Sequence, residues 1–367
     1  MPIQLPPYFN QNLKWVKFWK DASGAGHDFL MFNESGFWPS QSIPEIKTEF
    51  NIKAIVYQYP WFFGQKFWYI PKGPIIDTKL NPEEVNLLFS KLLSQILTQA
   101  KLQGVTHLKF DFDDTFTDLI NIQNLQDIEE FLAGLESGLK IKTDSKSIQY
   151  LQSMSMDISQ VQKSAQVDLI NPDLHAFFET NKVFWNKTSQ KARRYTRRAL
   201  DLYQNKKWQV SFAKTQKNFE LFWAIHSQTA ANKEFVTSSK TYLQSLFDQD
   251  FSRLVLILDD KGAPHSVWLG AELDRTLVYI FGGNTTQSLE DNGQYLLHLA
   301  VMYLGKSGDV EFYDLGGYKA EEGYGKFKDA YKGRIRTFQG PVDLVIKAST
   351  YNFVNWLISF KKFWTPR

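Results

Sequence analysis

The run of apolar and polar positions divides the first 150 residues into extended and helical stretches. Phe29–Phe32, Ile52–Tyr59, Phe67–Ile70 and Thr106–Phe112 read as strands. Asn81 before Pro82 has the form of an N-cap with proline at the first helical position. Val85, Leu88, Leu92, Ile96 and Leu97 then hold a helical period toward Gly104. Leu125–Leu135 reads as another helix. Ser147–Ile158 reads as extended and carries the chain into a second unit.

That second unit opens with a basic helix over Val183–Tyr203. A strand at Trp208–Ala213 and helices at Asn218–Ala231 and Tyr242–Phe247 follow. Strands are predicted at Leu254–Leu258, Ser266–Leu273, Leu277–Phe281 and Glu311–Leu315, with a helix at Tyr295–Leu304 before the last of them. The alternation predicts a mixed α/β fold. At roughly 100–200 residues per domain, a chain of 367 residues predicts two domains. The end, Tyr351 to Trp364, is aromatic, basic and free of acids. A final helix packed on the first domain is the expected reading, with docking on anionic lipid the alternative.

Composition narrows the chemistry. There are no cysteines, which excludes disulfides, thiolate zinc, iron–sulfur clusters and thiol nucleophiles. The 30 Phe, 16 Tyr and 11 Trp serve mostly as buried packing. Met1 to Trp15 lacks the pattern of a signal peptide, and no run approaches the ~18 apolar residues of a spanning helix. The chain is expected to be soluble and cytoplasmic. The net charge of +3 is unevenly spread. Lys182 to Lys217 holds eleven Lys or Arg against one acid, Asp201, an excess suited to a polyanion.

Several motifs fail. Gly305-Lys306-Ser307 ends like a phosphate loop, but the glycine required five residues earlier is Ala300. The six histidines are scattered without an HExxH, and no GxSxG elbow occurs, so neither a metal site nor a serine nucleophile is expected. Asp111, Asp113, Asp114 and Asp118 lack calcium-loop spacing and read as a solvated strand end, one carboxylate of which can face a cleft.

Three signals remain. Lys187, Lys191, Arg194 and Arg198 are spaced as one row on the basic helix, beside an apolar stripe of Phe184, Ala192, Tyr195, Ala199 and Leu202. Phe312-Tyr313-Asp314-Leu315-Gly316-Gly317 is a strand ending in paired glycines, which let a substrate approach the backbone, and Phe327-Lys328 follows it. A cation there can neutralise a phosphate or the oxyanion of acyl transfer. The third is the turn Ile70-Pro71-Lys72-Gly73-Pro74-Ile75.

In this order, and joined by Trp15-Val16-Lys17, Lys109-Phe110-Asp111, Thr229-Ala230-Ala231 and Tyr279-Ile280-Phe281-Gly282-Gly283-Asn284, these segments resemble the Fem family of peptidoglycan-bridge aminoacyltransferases. The resemblance implies two acetyltransferase-like (GNAT-like) domains, residues 1–150 with 341–367 and residues 151–340. It implies transfer of an amino acid from aminoacyl-tRNA to an amino group of UDP-MurNAc-pentapeptide or lipid II, by direct attack of the amine and with no cofactor. A monomer with peripheral access to the inner membrane surface is expected. Lys328 is the expected electrostatic catalyst and Asp111 the candidate base. Lys17, Lys72, Arg194, Arg198, Tyr279, Phe281, Gly316, Gly317 and Phe327 are the candidate substrate contacts. Two departures stand out. Arg198 to Trp208 leaves no room for the long helical arm many members carry, and Asn232-Lys233 stands where an Arg often follows the Thr-Ala pair. An acyl-coenzyme-A N-acyltransferase is the first alternative, although Asn284–Asn292 has no glycine for a pyrophosphate loop and contains two acids. A non-catalytic binding homologue is the second.

Overall fold

The structure, a computed structural model, describes residues 9–39, 47–76, 80–112, 114–121, 125–135, 140–143, 152–162, 172–205 and 207–364. Asp113 of the acidic group and residues 147–151 of the extended run lie outside them. In chain order the elements begin with α1 (Leu13–Ser23), β1 (Asp28–Pro39), β2 (Lys47–Pro60), β3 (Lys66–Pro71), β4 (Ile75–Ile76), α2 (Pro82–Leu102), β5 (His107–Asp111), α3 (Asp114–Leu119), α4 (Leu125–Leu135) and β6 (Lys140–Thr143). Next come β7 (Gln152–Asp157), α5 (Leu174–Thr180), α6 (Lys182–Lys187), α7 (Gln190–Gln204), β8 (Trp208–Ser211), α8 (Gln216–Asn232), α9 (Lys240–Phe247), β9 (Ser252–Asp259), β10 (Pro264–Leu273) and β11 (Thr276–Asn284). The chain closes with α10 (Thr286–Glu290), α11 (Gly293–Ser307), β12 (Phe312–Gly317), α12 (Gly323–Asp329), β13 (Arg334–Thr337), β14 (Pro341–Val345) and α13 (Ala348–Trp364).

The described residues form two compact units, one of residues 9–143 with 337–364 and the other of residues 152–336. In the first, strands run β1-β2-β3-β5-β14-β6, with β4 beside β2. The chain's end completes this sheet. β14 lies antiparallel to both β5 and β6, pairing Pro341 with Asp111 and Val345 with Lys140. Helix α2 starts where Asn81 and Glu84 form a reciprocal capping box, which satisfies two backbone donors that a helix start leaves open. Its Val85, Leu88, Leu92 and Ile96 pack with Ile52, Val56, Trp68, Ile70, Leu108, Phe110 and Leu344, every one fully buried. Helix α1, which the hydrophobic pattern did not reveal, covers part of the other face by packing Val16 and Trp19 on Ile55 and Tyr57. Its start is capped by Asn12, whose side chain accepts from the N–H of Lys14 and Trp15.

In the second unit the order is β13-β7-β12-β11-β10-β9-β8. β11 and β12 form a parallel pair, registered only from Thr276 with Phe312 to Val278 with Asp314. Past that point β11 continues with β10 and β12 with β7, so the two strands part at their C-terminal ends. Residues from α5, α7 and α11 close one face through Phe177, Ala192, Ala199, Leu296, Leu299 and Ala300, while α8 packs on β10 and β11. The basic helix expected over Val183–Tyr203 is two helices. The Thr188 hydroxyl turns back to donate to the Trp185 carbonyl at 2.7 Å, and Ser189 caps α7 by accepting from the Ala192 N–H. Lys187 therefore sits on α6, off the row formed by Lys191, Arg194 and Arg198 on α7.

Candidate functional site

Tyr279, Gly316, Gly317, Phe327 and Lys328 come together where β11 and β12 part. Gly316 has φ +76°, a conformation that favours glycine, and a Cβ there would stand 3.3 Å from the Tyr279 carbonyl. The turn is held from below by Asp314, whose buried carboxylate accepts the Gly316 N–H at 2.7 Å. Helix α12 follows, lying so close to the preceding turn that any side chain at Gly325 would overlap the Lys319 carbonyl. This approach brings Lys328 Nζ to 2.6 Å from the Gly317 carbonyl, to which it donates. The ammonium also lies 5.2 Å from the centre of the Tyr324 ring.

Burial pulls the Lys328 pKa down from 10.5 to about 8, against the opposing pull of the Asp314 carboxylate. Burial also raises the pKa of Asp314, while the Gly316 N–H, Arg336 and Lys328 work the other way. Behind Lys328 stands His298 on α11, packed among Tyr279, Tyr313, Phe327 and Tyr331 with centroid distances of 5.1–6.0 Å. Its Nδ1 is 2.7 Å from the Tyr313 hydroxyl. Burial, aided by the Lys328 charge, lowers its pKa to about 3, so the ring is neutral at pH 7. Tyr279 is held by burial at about 12.

Phe281 is not part of this cluster. An i,i+2 spacing would put it on the face of Tyr279, but the β10–β11 register shifts, so that Tyr279 pairs with Gly270 and Phe281 with the adjacent Leu269, leaving Ile280 as a bulge. The bulge reverses the alternation. Tyr279 stacks on His298 of α11, whereas Phe281 meets His226 of α8 at 5.4 Å. Gly282 is needed beside the bulge because a Cβ there would overlap the Tyr279 hydroxyl.

The basic helix borders the cluster through a chain of rings. Tyr195 of α7 lies 5.3 Å from Tyr295, and Tyr295 lies 5.0 Å from Phe327. The Ser189 N–H at the start of α7 donates to the Ala330 carbonyl, just beyond α12. Lys191, Arg194, Arg197 and Arg198 are exposed. Arg193 is different. Its Nη1 donates to the carbonyls of Trp185, Asn186 and Thr188, closing the end of α6.

The remaining candidates belong to the other unit. Lys17 is exposed on α1, opposite the buried Val16 and Trp19. Lys72 and Asp111 form an ion pair at 2.8 Å, with both side chains almost buried, and Tyr69 donates to the same carboxylate at 3.1 Å. Lys72 adopts φ +49°, and its ammonium lies 3.6 Å over the Phe338 ring. Asp111 and Lys72 are thus committed first to each other. Asp114 and Asp118 lie on α3, and no group of three or more potential metal ligands occurs among the described residues.

Sequence reasoning passed over His298, Asp314 and Gly325. Tyr295 and His298 share a helix face with spacing three, but that pattern reads as core. Asp314 lay inside the quoted strand motif without an assigned role.

Neither a family model nor a curated protein matches the sequence. Among solved structures, the chain is similar to FemX, with a TM-score of 0.64 and 14% identity over 94% of each chain. It is also similar to a conserved protein of unknown function from Bacteroides thetaiotaomicron VPI-5482, with a TM-score of 0.51 and 9% identity over 92% of each chain. A tandem GNAT protein from the clavulanic acid biosynthesis pathway matches with a TM-score of 0.46 and 7% identity, over 94% of this chain and 90% of that one. The chain has the fold of FemX. No helix among the described residues is long and apolar enough to cross a membrane.

Proposed function

We propose that this protein is an acyltransferase that moves an amino acid from aminoacyl-tRNA to the peptide amino group of a peptidoglycan precursor, UDP-MurNAc-pentapeptide or lipid II. The observation that carries this reading is Lys328. Its ammonium is partly buried and fixed on the Gly317 carbonyl, at the point where β11 and β12 part, in a chain with the fold of FemX.

In the reaction the acceptor amine attacks the ester carbonyl. A C–N bond forms, the C–O bond to the tRNA ribose breaks, and the amine's proton leaves with the ribose hydroxyl. Charge builds on the carbonyl oxygen, or already resides on an acceptor phosphate, and a positioned cation in a water-poor site stabilises it. Lys328 supplies that cation. Gly316 and Gly317 let the substrate reach the backbone, and Phe327 and Tyr279 wall the cleft. Arg194 and Arg198 meet tRNA phosphates. Lys17 and Lys72 contact the acceptor, and Asp111 holds the Lys72 turn in place rather than taking the proton.

Coenzyme A fits less well. In an acyl-coenzyme-A transferase the pyrophosphate needs open backbone between the strand and the helix that binds it, here between β11 and the start of α11. Here Ser288 of α10 packs against Gly293, the first residue of α11, where a Cβ would overlap its hydroxyl, and that hydroxyl is tied to Ser266 at 2.5 Å.

The test incubates the protein with a pool of charged tRNAs and UDP-MurNAc-pentapeptide or lipid II, followed by mass spectrometry of the acceptor. A mass gain that Lys328→Met abolishes supports the reading and names the donor. No gain with either acceptor overturns it.

A further inference from the structure

In the unit of residues 9–143 and 337–364, the β2–β3 connection and α13 together present large aromatic side chains to solvent. Phe62 is 45% exposed, Phe63 75%, Phe353 53% and Trp356 58%. The two segments lie nearly 300 positions apart in sequence, yet their rings meet. Phe63 is 6.5 Å from Phe353, and Phe353 stacks on Trp356 at 6.2 Å. The patch is mounted rigidly. Trp61, beside Phe62, packs 6.2 Å from Tyr351, which is buried and donates to Asp343 at 2.6 Å. Phe63 adopts φ +54°, a conformation uncommon for a bulky residue, held where it turns the ring outward.

The helix that carries Phe353 and Trp356 is basic: α13 contains Lys361 and Lys362 and no Asp or Glu, and Lys142 reaches it by donating to Asn352 at 2.9 Å. Exposed Phe and Trp beside lysines, on a chain whose described helices do not span a bilayer, match the requirements of interfacial docking. The rings enter the headgroup–acyl boundary and the cations meet anionic headgroups. Scattered exposed apolar residues are ordinary on protein surfaces, but rings in mutual contact, drawn from two remote segments, are not.

We infer that Phe62, Phe63, Phe353 and Trp356 form a docking surface for an anionic phospholipid bilayer, held there reversibly with the help of the basic C-terminal helix. The surface shares no residue with the transfer site, and the inference does not rest on the proposed reaction.

The experiment is cosedimentation of the full chain with phosphatidylglycerol-containing vesicles and with pure phosphatidylcholine vesicles. The parent protein should pellet with the anionic vesicles and be released by salt. Phe63→Asn, chosen because Asn tolerates a positive φ, combined with Trp356→Gln should lower partitioning by about tenfold or more. Lys361→Glu with Lys362→Glu should lower it by about fivefold per cation removed. Circular dichroism melting of the ring variant should match the parent, since Phe63 and Trp356 are exposed.

A parent protein that stays in the supernatant overturns the inference, as does a ring variant that pellets like the parent. So does a parent dimer in light scattering that the ring variant converts to monomer, because the patch would then cover a second copy of this chain. Transfer without vesicle binding sinks this inference alone, and vesicle binding without transfer to any acceptor sinks only the proposed reaction.

Discussion

Replacing Lys328 with methionine separates the cost of this side chain from its use. Burial lowers its pKa from 10.5 to about 8. At ~1.4 kcal/mol per pH unit, that fall makes the charged form ~3 kcal/mol less favourable in the folded chain. Partial hydration of a half-buried ammonium reduces the figure, and the bond to the Gly317 carbonyl returns ~1 kcal/mol that methionine forfeits. The net expectation at pH 7 is a variant ~1 kcal/mol more stable than the parent, or ~2–4 °C higher in melting temperature for a unit of this size. The pH dependence fixes the sign. The folded-state pKa lies below the unfolded one, so the cost is fully present below about pH 8 and is relieved as pH rises toward 10.5. The stability gap between variant and parent should therefore close across that window, as read by thermal melts at pH 7 and pH 10. Transfer should fall by ~100-fold or more at pH 7, the scale of losing one preorganised charge-stabilising group. In the parent, transfer should decline above about pH 8 as Lys328 loses its proton. A methionine variant that melts lower at pH 7 and still transfers at the parental rate would refute both halves of the reasoning.

Gly282→Ala should displace the Tyr279 ring from His298, costing ~1–3 kcal/mol of stability and raising KM for the acceptor, measured by melts and initial rates. Lys72→Met should cost ~2–4 kcal/mol because it strands the Asp111 carboxylate, and adding Asp111→Asn should restore most of it. Transfer that returns in that double variant with a raised KM for the acceptor fits Asp111 as a positioning residue and Lys72 as an acceptor contact, as initial rates would show. Arg194→Gln with Arg198→Gln should leave melting unchanged, weaken tRNA binding and reduce the logarithmic salt slope by ~0.7–0.9 per cation. Arg193→Gln should instead lower stability by ~1–3 kcal/mol, because the charged donor shared by three carbonyls around the end of α6 is lost. Acetyl-coenzyme A should give no heat of binding in calorimetry, and saturable binding would show that α10 moves away from the start of α11.

Secondary structure was legible wherever the signal was local. Pro82 after Asn81 located α2, Leu125–Leu135 matches α4 in full, and the alternation over Ser266–Leu273 lies within β10. Charge counting was less reliable, since five arginines and lysines between 191 and 198 look alike in sequence. Four of them are exposed, while the fifth, Arg193, is turned back on its own chain by the break at Thr188–Ser189. That break is made by two hydroxyls that a helical window counts merely as polar. Similarly, the row that included Lys187 needed an unbroken helix, and a capping serine was enough to end it.

The cluster around Lys328 shows why a site can be half read from its motif. The paired glycines and the following Phe-Lys are visible because glycine and charge are conspicuous. The groups that tune Lys328 are not, because each acts only after folding. Asp314 is one residue among 39 acids until β7 and β12 close over it and its carboxylate finds the Gly316 N–H. His298 looks like a polar interruption in an apolar helix until Tyr313 arrives from β12 to bond it. Phe281 shows the converse error: its spacing from Tyr279 promised a shared face, and one bulged residue, Ile280, sent the two rings to opposite sides of the sheet. Period-two reasoning holds only while the ladder is regular, and substrate clefts form where ladders fail. The position that most misleads a sequence reading is thus also the one beside the parting of β11 and β12, where the proposed chemistry is placed.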